Sequence, residues 1–191
     1  MPNRIGLLAA AGTVVMVSSA CGGADPAPAW VAPSEAAPAA ESPAPPARPK
    51  QITSACDLLA ATVVIDLLGG SERTRLAAKE LPAEEGPNGN VWRHCAYGRD
   101  GKQPFALSVA TMPNRSDTVE ETIDAVAKAG EKSVRIKDLG AAAVGYVEGG
   151  SRAVMAVVPY QNELRVVQFT GPTVVPRDKL ADTVRHVLAK I

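Results

Sequence analysis

Three cysteines and two histidines are the residues of this chain best suited to do chemistry. Cys21 follows Ser18-Ser19-Ala20 and precedes Gly22-Gly23, small side chains that a signal peptidase accommodates in extended form. A thiol there suits attachment of a diacylglycerol, so Cys21 is expected to be lipidated. Bacterial lipoboxes usually carry Leu, Val or Ile three residues before the cysteine, where this chain has Ser18, and Ser18 with Ala20 also fits the small-x-small rule of ordinary secretory cleavage. An odd cysteine count favours lipidation, because an exported protein seldom leaves one thiol without a use. Cys56 and Cys95 then remain, and in an oxidising compartment they are expected to form a disulfide. Closing a loop of about 40 residues stabilises a fold by roughly 4 kcal/mol in the chain-entropy account. The pair reads as structural, since a redox role favours Cys-x-x-Cys spacing.

The other reactive residues are scattered. His94 lies in an expected strand beside Cys95, and His186 lies in the last expected helix. Neither has partners at metal-ligand spacing, and a cysteine held in a disulfide cannot ligate zinc, so neither metal nor cofactor is expected. Ser71 after Gly69-Gly70 and Ser151 after Gly149-Gly150 do not complete a nucleophile elbow. Glu84-Glu85, Glu120-Glu121 and Glu148 fall where loops, helix surfaces and turns are expected, and they read as solvated groups rather than paired catalytic carboxylates. Glycine-rich phosphate loops are absent. The chain is therefore expected to be non-enzymatic, the alternative being an envelope hydrolase with a dispersed site built on His94 or a carboxylate. Trp92, Tyr97, Tyr146 and Tyr160, all on expected strands, are the candidate ligand contacts; packing of the core is the competing and favoured reading of them.

These residues are distributed over three zones. Arg4 and the apolar run 5–17 make residues 1–20 an export signal too short to be a permanent membrane span. Residues 21–50 are rich in Ala and Pro and hold half of the chain's 16 prolines. Such a segment cannot bury a core and should act as an extended tether, about 3.1 Å per residue and on the order of 90 Å at most. Its Trp30 reads as an incidental exposed side chain. Residues 51–191 are of single-domain size. The whole chain carries 20 Lys plus Arg against 20 Asp plus Glu, and the two signs also balance beyond residue 50. That balance disfavours nucleic acid as a partner. The expected partners are the membrane, through lipid on Cys21, and a small apolar ligand, a wall component or an envelope protein. The expected location is the outer face of the cell membrane, with secretion as the alternative.

Within 51–191 the pattern predicts an α+β domain: an antiparallel sheet of about five to six strands with N-terminal, middle and C-terminal helices packed on it. Ser54 and Asp57 resemble a capping box opening a helix over 55–68, with a break near Thr62 and a left-handed stop at Gly69-Gly70. Residues 71–81 form a weaker helix or a strand, and 82–90 a polar loop. Strands are expected at 91–98 and 104–112 around Asp100-Gly101, then at 133–137, 142–147, 152–160 and 164–170. Val119, Ile123 and Val126 repeat at helical spacing over 116–129, and Pro176 opens a closing helix.

Cys56-Asp57-Leu58-Leu59, then Leu67-Leu68-Gly69, Cys95-Ala96-Tyr97 and Leu139-Gly140-Ala141-Ala142-Ala143, follow the Ala/Pro tether in an order that resembles the small actinobacterial lipoproteins grouped as domain of unknown function 3558. The resemblance covers most of 51–191. It implies an envelope lipoprotein with a disulfide, and it carries over no catalytic residue. The chain departs from that group at Ser18 and at Ala141, where an acidic residue commonly follows the glycine.

Overall fold

The computed structural model describes residues 50–71 and 73–191. Cys21, Trp30, the export signal and nearly all of the expected tether lie outside these residues.

The tightest local determinant is Asp100-Gly101, both with positive φ (54° and 78°), the backbone twist that a two-residue hairpin turn needs. It joins Val91–Arg99 (β2) to Lys102–Pro113 (β3), and β2 pairs on its other side with Ala77–Glu85 (β1). Chain direction then passes through Val119–Ala129 (α2; α1 is Ala61–Leu68) into a second meander. Its strands are Glu131–Arg135 (β4), Ala142–Glu148 (β5), Ser151–Tyr160 (β6) and Glu163–Pro172 (β7). Because β7 pairs with β3, the two meanders fuse into one antiparallel seven-stranded sheet ordered β1-β2-β3-β7-β6-β5-β4. Arg177–Leu188 (α3) closes the chain. The fold is α+β as expected, with one strand more than the pattern suggested.

The additional strand is β1. The expected loop at 82–90 begins inside it, and the strand runs through Pro82 with a register shift between Leu81 and Glu84. An edge position permits this, since proline lacks only a donor that an outermost strand has no neighbour to receive. β1 also has a single half-buried residue, Leu81, so no alternation marked it.

Alternation of side chains gives the sheet two covered faces. One carries Cys95, Tyr97, Leu107, Val109, Val154, Ala156, Val167 and Phe169 and packs under α1 and α3 through Leu59, Val64, Leu180, Val184 and Val187. The other carries Ala110, Val144, Tyr146, Met155 and Val166 and packs under α2 through Ile123. Gly130, just past α2, lies where a Cβ would fall 2.7 Å from the Tyr146 ring, so only glycine lets the helix end this close to the sheet. Among the described residues no helix is long and apolar enough to cross a membrane.

The first helix is shorter than expected. Residues 55–59 form turns, Ala60 is extended, and α1 starts at Ala61. The cause is Glu80 on β1, whose carboxylate accepts from the Ala55 N–H (2.9 Å), the Cys56 N–H (2.8 Å) and the Ser54 hydroxyl (2.8 Å). Ser54 Oγ in turn accepts from the Asp57 N–H at 3.2 Å, as the capping reading required. The Cys56–Cys95 disulfide fixes the same turn to β2, with the two Cα atoms 5.0 Å apart. These ties, with the hydroxyl of Tyr97 on β2 donating to the Leu59 carbonyl, hold the 55–59 turn on the sheet, and the helix restarts beyond it. Gly69, left-handed at φ 76°, ends α1 where the sequence placed its stop.

Burial alone would raise the Glu80 pKa, but the hydrogen bonds from Cys56, Ala55 and Ser54, with the Arg93 charge, together hold it below the ordinary carboxylate value. A carboxyl with a lower pKa folded than unfolded stabilises the fold above its unfolded value and loses that contribution as pH falls through the folded one. Glu80→Gln is therefore expected to cost about 1 kcal/mol at pH 7, as loss of a helix cap does. In urea titrations across pH, the gap between wild type and variant should hold above 4.5 and close below it. A gap independent of pH would show that the charge is immaterial.

Candidate functional site

The four aromatic candidates do not meet in one cleft. Tyr97 is fully buried and donates its hydroxyl to the Leu59 carbonyl at 2.7 Å. Tyr146 is buried beneath α2, its pKa pushed up to about 12 by burial and by the Glu148 charge. Both are core residues, and the ligand-contact reading is withdrawn for them. Tyr160 lies at the end of β6, where its hydroxyl donates to the Ile191 carbonyl at 2.8 Å and its ring carries the Arg165 guanidinium 5.0 Å from the centroid.

Trp92 is half-buried like Tyr160, and it lines a groove. α2 packs over β4, β5 and β6, and its flank meets Trp92 of β2 and Met112 of β3 at the border of the same face. The result is a groove of about 290 Å³ between α2 and the sheet. Trp92, Met112, Met155 and Val166 come from the strands, Thr122, Ala125 and Val126 from the helix, and Arg115 and Glu121 supply the charges. Glu120 and Glu121 are both exposed on α2, as expected of solvated groups, and Glu121 also borders the groove.

Beside this groove lies a contact that only strand register creates. His94 faces Ser108 across β2 and β3, and the imidazole Nδ1 and the serine Oγ are 2.8 Å apart. Trp92 stacks on His94 with ring centroids 6.2 Å apart and nearly parallel planes. Glu84 on β1 brings Oε1 to 3.9 Å from His94 Nε2, longer than a hydrogen bond. Serine, histidine and glutamate thus line up over three neighbouring strands, with the serine on Nδ1 and the acid side on Nε2. Ser108 sits in mid-strand with β2 on one side and β7 on the other, so the backbone N–H groups around it serve the ladder. An acyl-transfer site needs such donors free to receive an oxyanion.

Cys56, Cys95 and Glu80 bring their ligand atoms within 4.8 Å of one another. The two sulfurs are bonded to each other, so neither is a thiolate, and the Glu80 carboxylate already accepts three hydrogen bonds. His186 on α3 has its pKa lowered by burial and by the Lys190 charge, and its Nε2 has no partner among the described residues.

The sequence reading passed over Ser108, Arg93 and Arg165. Each is an ordinary strand residue by type, and only pairing across β2, β3 and β7 gives it neighbours.

No protein-family profile matches the chain, and no curated protein matches it. Among solved structures it is similar to the extracellular domain of PknH from Mycobacterium tuberculosis, with 10% identity over 74% of this chain and 97% of that one and a TM-score of 0.39. A GTP binding regulator from Thermotoga maritima is 12% identical over 66% of this chain and 83% of that one, with a TM-score of 0.30. Likeness at this level carries no function across.

Proposed function

We propose that this chain is an exported, membrane-tethered binding domain of the cell envelope, anchored by lipid on Cys21, that holds a small apolar ligand in the groove floored by Trp92. The observation that carries the ligand reading is the groove itself. A large half-buried indole, two methionines and aliphatic side chains line a concave space between α2 and the sheet, with charge confined to Arg115 and Glu121. Apolar walls with few polar groups are the usual build of a small-molecule site, and methionines adapt to ligands of irregular shape. The signal-like N-terminus, the Ala/Pro segment and the resemblance to the actinobacterial lipoproteins support the location.

Nile red, a neutral apolar dye, tests the groove directly. It is expected to bind saturably with Kd about 10 µM or tighter. Trp92→Ala should weaken binding at least about tenfold, in line with a central aromatic anchor. Undiminished binding to Trp92→Ala, or none to the wild type, would remove the groove as the site.

A second reading, an envelope esterase, is favoured by the His94–Ser108 contact at 2.8 Å next to that groove. Ser108 would be the nucleophile and His94 its base. Turnover of p-nitrophenyl butyrate abolished by both His94→Ala and Ser108→Ala would establish it and displace the binding reading. No turnover, with Nile red binding intact, would leave the groove as a binding site.

A further inference from the structure

On the sheet face opposite the groove, Arg93 on β2 and Arg165 on β7 flank β3 and line one cavity of about 260 Å³. We propose that this cavity binds a small organic carboxylate through the two guanidinium groups. It is a second site, independent of the Trp92 groove and on the opposite face of the sheet, and four features support it.

The first is Arg165 itself. It is 2% exposed, which is rare for an arginine. Its Nε donates to Glu163 Oε1 at 2.7 Å and its Nη2 to the Lys50 carbonyl at 2.7 Å, while Nη1 is buried without a partner among the described residues. A buried charged donor left unfilled is costly, and such groups mark sites where something else supplies the acceptor.

The second is the placement of Arg93. Strand β3 alone separates it from Arg165, with Arg93 opposite Val109 and Arg165 opposite Thr111, so on this diagonal the two backbones lie about 12 Å apart, a span both long side chains can close onto a shared anion. Its Nε donates to the Ile52 carbonyl at 2.8 Å, which holds the side chain over the sheet. Both arginines are therefore braced by carbonyls of the strap 50–52, whose Gln51 and Ile52 form one wall.

The third is the charge. Within the lining, two arginines against Glu163 give a net positive charge, with Glu80 on β1 outside the lining but within electrostatic reach of Arg93. One negative charge completes the cavity, and a doubly charged phosphate would face Glu163 with its second. With Nε and Nη2 of Arg165 already donating, its Nη1 supplies one prong and the Arg93 guanidinium the other, a pair of charged donors suited to the two oxygens of a carboxylate. The fourth is the remaining wall: Val91, Val109 and Ile52 offer aliphatic surface for the body of the ligand, and Thr111 adds a hydroxyl.

The test is a titration of the exported, disulfide-bonded chain with sodium butyrate, followed by 15N NMR of arginine Nε–Hε and backbone amide signals. Sodium phosphate and sodium chloride at equal ionic strength are the comparison arms. Saturable shifts of Arg93, Arg165, Val109 and Thr111 with Kd about 1 mM or tighter are expected, with weaker or no saturation by phosphate. Arg93→Gln should weaken butyrate at least about tenfold while Nile red binding stays unchanged. The wild-type Arg165 signal makes the result independent of whether any Arg165 variant folds. Shifts that do not saturate, that map elsewhere, that phosphate or chloride reproduces, or that Arg93→Gln leaves intact would overturn the proposal.

Discussion

Replacing Cys56 and Cys95 together by alanine is expected to lower stability by about 4 kcal/mol. The bridge spans a sequence separation of 39 and joins the turn before α1 to the centre of β2. Without it, the unfolded chain regains the freedom of that loop, a large fraction of the 5–15 kcal/mol of a typical domain. Cys95 is fully buried, so the double variant also loses some packing at the missing sulfur, and the reduced protein, which keeps both sulfurs, isolates the cross-link. Denaturant midpoints of the oxidised protein, the protein in dithiothreitol and the double variant should place the last two together and well below the first. A loss under about 1 kcal/mol would mean that Glu80 and the burial of Leu59 already hold the turn, and that the bridge adds little to them.

Phe169→Ala is expected to cost about 3–5 kcal/mol. The ring is fully buried on β7, stacked on Phe105 at 6.1 Å between centroids and tilted against Tyr97 at 6.2 Å. These three rings form the aromatic centre of the face under α1 and α3, and Tyr97 reaches through it to the Leu59 carbonyl. Truncation removes both ring contacts and leaves a space that aliphatic neighbours cannot close without moving strands paired on both sides. Val174→Ala, at a side chain 88% exposed, is the control and should stay within about 0.5 kcal/mol. A small effect of Phe169→Ala in thermal or urea unfolding would show that this face repacks freely.

Local chemistry made much of the fold legible. Asp100-Gly101 set the β2–β3 hairpin, and Gly149-Gly150, both at positive φ, set the turn between β5 and β6. The apolar spacing of Val119, Ile123 and Val126 marked α2. What stayed hidden is non-local. The return of β7 to β3 pairs segments far apart in the chain, and no residue type announces it. The shortened α1 arises from Glu80, an ordinary exposed glutamate until β1 delivers it to the Ala55 and Cys56 amides. For the site, the sequence named Trp92 among four aromatics but could not separate it from the core tyrosines. Parity along β2 separates it from Tyr97, an odd number of residues away on the opposite face, while Tyr146 shares the Trp92 face and is set apart by its burial under α2. The His94–Ser108 and Arg93–Arg165 placements needed the register as well.

The order of the sheet leaves β1 and β4 outermost. Each would offer a neighbouring copy a row of unsatisfied backbone groups, and each is spoiled for that use. β1 carries Lys79, Glu80, Pro82, Glu84 and Glu85 and breaks register halfway along. β4 is five residues long, carries Glu131, Lys132 and Arg135, and turns Lys132 to a positive φ of 51°. Charge, proline and irregular backbone are the means by which natural sheets avoid edge-to-edge growth into aggregates. Copies crowded shoulder to shoulder on a surface would therefore remain separate molecules rather than zip into a continuous sheet, and each would keep both faces available.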